Sequence, residues 1–429
     1  MKKLLYIATA IILASCSNDS MDFEQQEITQ QKQLSKNRTV SEAIDIANNA
    51  VVQFFDVTRA GGKVVDIDNI EVVTSSATRS GGEGGDTLLY VVNYADNNGF
   101  AVVSANRNTE GLLAVTEQGN YDPAVESKNG GFEMFMDMAE EYVATASWEP
   151  TVPDLQDPTL DQIKEFKEEM DTITHIVVAP KLKVKWGQTG IEGRYADNGV
   201  AGCANTAMAQ IMSYFCYPTQ LTLSYLKDEV RTINLDWNAM KHHKGFHQDS
   251  ILCGARFQDH EAIAHLHREL GERNESEYLD FWYETYTATA NVISTFRSLD
   301  YTATDLVYYY KSDFASYLNY NYLIFMTGGT TSNGSGHSWV IDGGKKSIIT
   351  TRYWTRNYGA FIWELHTETT SETEYYHHNW GYDGDYNGYF NANVFDMSNA
   401  RSYDNDTLYD EEANPVNFRF NLKFFLVRR

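Results

Sequence analysis

Cysteine is scarce in this chain: there are 4 in 429 residues, and one of them is Cys16, close to the N-terminus. The other three are Cys203, Cys216 and Cys253. An odd number cannot pair completely, so at least one thiol is free and a disulfide scaffold is not expected. Positive charge is also short, with 34 Lys and Arg against 59 Asp and Glu, a formal net charge of −25. So acidic a chain lacks the basic patches that nucleic-acid phosphates require. The balance fits a soluble, exported protein. Proline is limited to 7 residues, three of which crowd into "WEPTVPDLQDP", residues 148–158. Beyond the N-terminus, no stretch is apolar enough for a transmembrane helix, which needs ~20 such residues.

The N-terminal "MKKLLYIATAIILASC" has two lysines, a short apolar run and then small residues. That order reads as a secretory signal. "LASC" (Leu13, Ala14, Ser15, Cys16) resembles a bacterial lipobox, in which the signal, residues 1–15, is removed and Cys16 is acylated. Residues 16–38 form a polar tether with no apolar period. Residues 39–147 predict a small α/β module. A helix opens at Thr39 or Ser41, with Val40, Ile44, Ala47 and Val51 at helical spacing. Strand-like "IEVVTSS", "TLLYVVNY", "GFAVVSA" and "LLAVTEQG" follow, then helical "FEMFMDMAEEYVATA". Residues 148–180 read as a linker with a cleavage region. The second module, residues 181–429, is helical in its early half and strand-rich in its later half, which predicts an α+β fold.

The chemistry centres on "GCANTAMAQIMSYFCYP". Met208, Ile211, Met212 and Phe215 share a helix face, which puts Cys203 in the first turn. Unpaired N–H groups and the positive end of the helix dipole favour thiolate there, and Gly202 permits close backbone approach by a substrate. Taken alone, a cysteine at a helix start is more often a packing residue. His337 in "NGSGHSWVIDGG" follows a glycine- and serine-rich loop at the start of a strand. Imidazole is the usual base for a thiol. In "HHNWGYDGDYNGYF", Asn379 is placed to orient His337 by accepting its other N–H, and Trp380 to shield that bond. Gln188 in "KWGQTG" is the candidate second oxyanion donor beside the Cys203 N–H. The 134-residue interval from Cys203 to His337 falls in the roughly 130–150-residue range of papain-type enzymes; Asn379 lies beyond it. "DGDYNG" lacks the ligand spacing and closing glutamate of a calcium loop. His260, His265 and His267 do not share one helix face, which predicts solvated or half-buried residues rather than a metal site. Cys216 and Cys253 are expected as buried thiols.

Together, "WGQ", "AGCANTAMAQIMSYFCYP", "LDWNAM", "GHSWVIDGG" and "NWGYDGDYNGYF" resemble the streptopain family of papain-like bacterial cysteine peptidases. Upstream, "LYVVNYADNNGFAVVSANRNTEGLLAVTEQGNYD" resembles that family's inhibitory prodomain. The resemblance implies a papain-like two-subdomain peptidase, with a helical part and an antiparallel sheet part, made as a zymogen behind a small α/β prodomain. It implies Cys203 as nucleophile, His337 as base, Gln188 in the oxyanion hole, Asn379 and Trp380 supporting the histidine, and Gly336 lining the cleft. It implies no cofactor and no metal. The partners it implies are protein or peptide substrates, the chain's own prodomain as inhibitor, and a membrane reached through acylated Cys16. The expected location is the outer membrane or cell surface of a bacterium. Two departures stand out. The segment 278–292 has no glycine, so specificity does not carry over, and "RYADN" replaces the family's "PYN" after Gln188. The reading is a lipid-anchored cysteine endopeptidase. Its rivals are a cell-wall peptide hydrolase and an inactive surface-binding protein on the same fold.

Overall fold

Thr39 caps the first helix, α1 (Val40–Phe54), by a reciprocal device: its hydroxyl accepts the Glu42 N–H, and the Glu42 carboxylate accepts the Thr39 N–H. The computed structural model describes residues 36–55, 66–75, 85–125, 129–146, 164–227, 229, 231–242, 254–279, 284–309, 313–329, 336–357, 361–396 and 420–429. The signal-like segment, Cys16 and Cys253 lie outside the described residues, as does 147–163.

Four antiparallel strands follow α1: β1 (Ile67–Thr74), β2 (Thr87–Tyr94), β3 (Phe100–Ser104) and β4 (Leu112–Thr116). Helix α2 (Gly130–Thr145) closes this half. Side chains alternate across a strand, and the two helices exploit this. Leu89, Val91, Phe100 and Val102 pack with α2, whereas Tyr90, Val92, Ala101 and Val103 pack with α1.

The next strand falls where a linker was expected. Residues 164–178 form β5 (Lys164–Val178), and the reason is tertiary. The charged run has no apolar period, but its backbone pairs antiparallel with a later strand from Val178↔Gly344 to Lys164↔Asn357.

The second half opens with α3 (Cys203–Phe215), buried along most of its length. After it come the hairpin β6 (Gln220–Leu223) and β7 (Arg231–Asn234), then α4 (Trp237–Lys241) and α5 (Gly254–Arg273). The hairpin β8 (Glu277–Leu279) and β9 (Glu284–Tyr286), α6 (Thr289–Ser298), β10 (Thr302–Ala303), β11 (Val307–Tyr308) and α7 (Phe314–Asn319) follow. The long strands come last: β12 (Leu323–Gly329), β13 (Gly336–Asn357), β14 (Glu364–Asn379), β15 (Gly388–Asn391) and β16 (Lys423–Arg428). This is the expected α+β arrangement of helical and antiparallel parts.

The two halves share one sheet. Among the described residues twelve strands join, in the order β1-β2-β3-β4-β15-β14-β13-β12-β16-β10, with β5 on β13 and β11 on β16. The seam is β4 on β15, through Thr116↔Gly388, Val115↔Tyr389 and Ala114↔Phe390. Lys345 on β13 reinforces it from the other face. Its buried ammonium donates to the carbonyls of Gln53 at 3.1 Å and Phe54 at 2.5 Å, where the negative end of the α1 dipole favours a cation. Lys345→Met leaves those carbonyls unpaired, at a cost of about 1–3 kcal/mol. Hydrogen exchange is expected to accelerate in α1 and stay unchanged in α5; equal protection of α1 in both proteins would refute this role.

Candidate active site

Cys203 is the first residue of α3, and Gly202 is its N-cap with φ +91°. A Cβ at Gly202 would lie 2.9 Å from the Thr285 side chain. The space the sequence reading reserved for a substrate at Gly202 is therefore filled by Thr285. The N–H groups of Cys203, Ala204 and Ser338 and the Ser338 hydroxyl favour the Cys203 thiolate. Burial nevertheless prevails and pushes the thiol above its ordinary pKa.

His337 enters from β13, immediately before Ser338. Its Nε2 lies 2.8 Å from the Trp380 carbonyl. A carbonyl only accepts, so Nε2 carries the proton and Nδ1 is the acceptor nitrogen of the neutral ring. Burial pushes the imidazole down to about 4, with the Trp380 carbonyl opposing. Trp339 lies nearly parallel to the ring at 6.0 Å, and Tyr382 sits at 5.3 Å.

Asn379 does not take the His337 proton. Its Oδ1 accepts from Gln210 Nε2 at 3.1 Å and the Gly381 N–H at 3.3 Å, and its Nδ2 donates to the Val184 carbonyl at 3.1 Å. Asn379 pairs with Val340 in the ladder, and the carbonyl one residue further along reaches His337 instead. Trp380 thus contributes both a buried ring and a backbone acceptor. Gly336 is exposed at the start of β13, opposite Gly329.

Gln188 is held by its backbone. Its carbonyl accepts the Ala201 N–H at 2.7 Å; the Gly187 carbonyl accepts Thr206 Oγ1 at 2.9 Å, and the Trp186 carbonyl accepts Gln210 Nε2 at 3.0 Å. Its side-chain amide acts on the Tyr382 hydroxyl, opposing the rise that burial imposes on that phenol. Three neighbours gave no signal in the sequence: Ser338, Tyr382 and Glu192. Glu192 is buried and accepts the Gly187 N–H. Burial, augmented by the negative charge of Asp383, pushes its carboxyl up to about 8.

His265, His267 and Cys216 have partners away from this site. His265 stacks on Tyr195 at 4.7 Å and bonds the Tyr225 hydroxyl. His267 is fully buried rather than solvated, because the whole inner face of α5 packs in the core. Cys216 is half-buried, with Lys241 Nζ 3.1 Å from its sulfur. Among the described residues no group of three or more His, Cys, Asp or Glu is arranged to hold a metal ion.

The first half of the chain covers this site. Helix α2 presents Gly130 and Gly131 to it, capped by the Asn129 side chain on the Phe132 N–H at 3.0 Å. A Cβ at Gly131 would lie 2.5 Å from His337 Cδ2 and from Trp380 Cε3. Only glycine allows that approach. Beside it, Glu117 lies 3.5 Å from His377 Nε2 and 3.3 Å from Lys185 Nζ. His377 Nδ1 lies 2.6 Å from Asp342 Oδ1, and Asp342 Oδ2 accepts the Leu182 N–H at 2.7 Å. Burial opposes both charges, but Asp342 and Glu117 hold His377 up at about 9, while His377 and Lys185 hold Glu117 down at about 2. The His377 contribution is complete below its unfolded value near 6.5 and fades as pH rises through about 9. The Glu117 contribution is complete above about 4.5 and fades as pH falls through about 2.

A cysteine at a helix start, a buried histidine on β13 and a covering N-terminal half fit a cysteine peptidase held as a zymogen. Residues 184–390 match the Peptidase C10 family, and residues 25–143 match the Spi protease inhibitor family. Residues 184–390 are thus similar to the Peptidase C10 (streptopain) family, and an inhibitor-type prodomain precedes them. A search of curated proteins found no match. Among solved structures, a Prevotella intermedia prointerpain A fragment is 19% identical, with 84% of this chain and 98% of that one covered and a TM-score of 0.48. Active interpain A from Prevotella intermedia is 20% identical, covering 58% and 94%, with a TM-score of 0.34.

Two outcomes test this geometry. Gly131→Ala forces α2 off Trp380 and His337, and the unprocessed protein is expected to gain peptidase activity or process itself faster than wild type; unchanged latency would show that α2 does not seal the site. Alkylation of Cys203 by iodoacetamide at pH 6 is expected to be on the order of 100-fold faster after prodomain removal, because the donors stay while burial falls. Equal rates would contradict the role given to burial.

Proposed function

We propose that the processed chain is an endopeptidase that hydrolyses peptide bonds of proteins, with Cys203 as nucleophile and His337 as general base. The observation that carries this reading is Cys203 as the first residue of α3, where the N–H groups of the first turn and the Ser338 N–H and hydroxyl favour its thiolate. His337 takes the thiol proton at Nδ1, and the thiolate attacks the scissile carbonyl carbon, forming the C–S bond. The Cys203 N–H and the Gln188 amide receive the oxyanion. His337 then protonates the leaving amine as the C–N bond breaks. Water, losing a proton to His337, releases the acyl group and restores the thiol. The Trp380 carbonyl keeps Nε2 protonated throughout and so fixes the tautomer.

Maturation by a cut upstream of β5, within residues 148–163, is supported by the long ladder that β5 forms with β13. Export and acylation at Cys16 complete the proposal, placing the enzyme at the bacterial outer membrane or cell surface. Cys203→Ala is expected to reduce casein cleavage by the processed chain at least about a thousandfold. Wild-type cleavage by that variant would sink the nucleophile assignment. Turnover of peptidoglycan peptides but not of casein would favour the cell-wall reading. Absence of covalent labelling at Cys203 by a peptidyl fluoromethylketone would favour a binding role.

A further inference from the structure

The C-terminal turn of α1 sits in a socket built by the peptidase half. The Phe54 ring meets Tyr375 edge-on at 4.9 Å and Tyr389 at 5.3 Å. Lys345 Nζ, 5.0 Å from the centre of the Tyr389 ring, donates to the Gln53 and Phe54 carbonyls. The Gln53 side chain makes a third contact. Its Nε2 donates to the Thr172 carbonyl at 3.2 Å, and its Oε1 accepts from Thr174 Oγ1 at 2.7 Å. One helix end is thus held three ways: by its aromatic ring, its last carbonyls and its amide side chain.

Every receiving group belongs to β5, β13, β14 or β15, and the ladders among those strands fix its place. Lys345 pairs with Tyr375 on one side and with Ile176 on the other. Ser347 Oγ lies 2.7 Å from Thr174 Oγ1 and ties β13 to β5 beside the socket. A cut upstream of β5 leaves all of these groups on the processed chain. The socket also faces away from the chemistry. Successive strand residues point to opposite faces: Phe390 packs with Trp380 and α2, whereas Tyr389 packs with α1. A ligand in the socket therefore lies across the sheet from α2 and from the His337 that α2 covers.

We propose that in the processed enzyme this socket is a second binding site, an exosite for protein substrates that present a helix ending in an aromatic residue. Charge complementarity selects that occupant, because the Lys345 ammonium suits the negative end of a helix dipole. Tyr375 and Tyr389 suit a ring packed edge-on. The Thr172 carbonyl and the Thr174 hydroxyl suit an amide side chain one residue earlier. A helix bound there leaves the cleft open. It tethers the substrate and raises the local concentration of its extended segments near Cys203. The inference rests on the peptidase reading and adds to it a site that selects substrates away from the scissile bond.

The probe is a C-terminally amidated peptide of residues 36–55, which carries α1 with its capping box. The chain cut within residues 148–163 and separated from its first half is expected to bind this peptide in calorimetry. The uncut chain, whose socket holds its own α1, is expected not to bind it. Phe54→Ala in the peptide and Lys345→Met in the processed chain are each expected to weaken binding at least about tenfold. The peptide variant leaves the enzyme unaltered, so the result does not depend on how Lys345→Met folds. Undiminished binding of the Phe54→Ala peptide, or no binding by the processed chain whether or not it cleaves casein, overturns the proposal. Binding of the free-acid peptide alone, without the amide, also overturns it in favour of a C-terminal carboxylate. In turnover, casein fused to residues 36–55 is expected to show a KM about tenfold below that of plain casein, and Lys345→Met to abolish the difference. Equal KM for the two substrates in wild type overturns the exosite. A processed chain that binds the peptide but cleaves neither substrate supports the site and counts against the peptidase reading instead.

Discussion

Three rungs of antiparallel ladder, from Thr116↔Gly388 to Ala114↔Phe390, make one sheet out of two modules. Everything that keeps the site latent follows from that join. With β4 fixed on β15, Glu117 arrives beside His377 and Lys185 at the end of the strand. The chain then turns, and α2 begins over His337. Phe135 on α2 packs against Phe390 of β15 at 4.8 Å and Phe395 at 5.7 Å, so the helix is anchored in the peptidase core as well as on its own sheet. Gln118 ties the same turn to the Tyr382 loop, donating to Asp385 Oδ1 at 2.9 Å and accepting from Lys185 Nζ at 3.0 Å.

The electrostatics divide the molecule in two. At the site, burial outweighs the donors that favour the Cys203 thiolate and the carbonyl beside His337, so the thiol is pushed up and the imidazole down, both toward their neutral forms. At the seam the order is reversed, because opposite charges meet. Asp342 and Glu117 hold His377 up at about 9, and His377 and Lys185 hold Glu117 down at about 2, against the burial of both. Latency thus combines a protected, uncharged site with a charged clasp next to it. Removing the covering half lowers the desolvation of the site without removing the donors that favour thiolate.

Much of this was legible in local sequence. Thr39 and Glu42 encode a capping box, and the alternation in "TLLYVVNY" and "GFAVVSA" encodes two-sided strands that helices cover on each face. The placement of Cys203 at a helix start followed from the spacing of Met208, Ile211, Met212 and Phe215. Other features had no local signal. The strand β5 has a charged composition and owes its conformation to β13. The three histidines of α5 look alike in sequence, yet His267 is fully buried. Asn379 carries the residue type expected to orient His337, but its amide is used to tie Val184, Gln210 and Gly381 together, and the adjacent carbonyl does the orienting.

Residue type and spacing determined the class of chemistry and the order of its parts: a cysteine beginning a helix, a histidine beginning a strand, a glutamine ahead of both, and an N-terminal half with its own strands and helices. These properties depend on neighbours within a few residues and survive in the linear chain. Tertiary structure alone decided which groups meet at the sulfur, which carbonyl holds the histidine, and how the first half blocks the second. Gly131, His337 and the Trp380 carbonyl meet because strands far apart in sequence pair in register. Register across a sheet is set by the whole ladder, and no short stretch of sequence contains it.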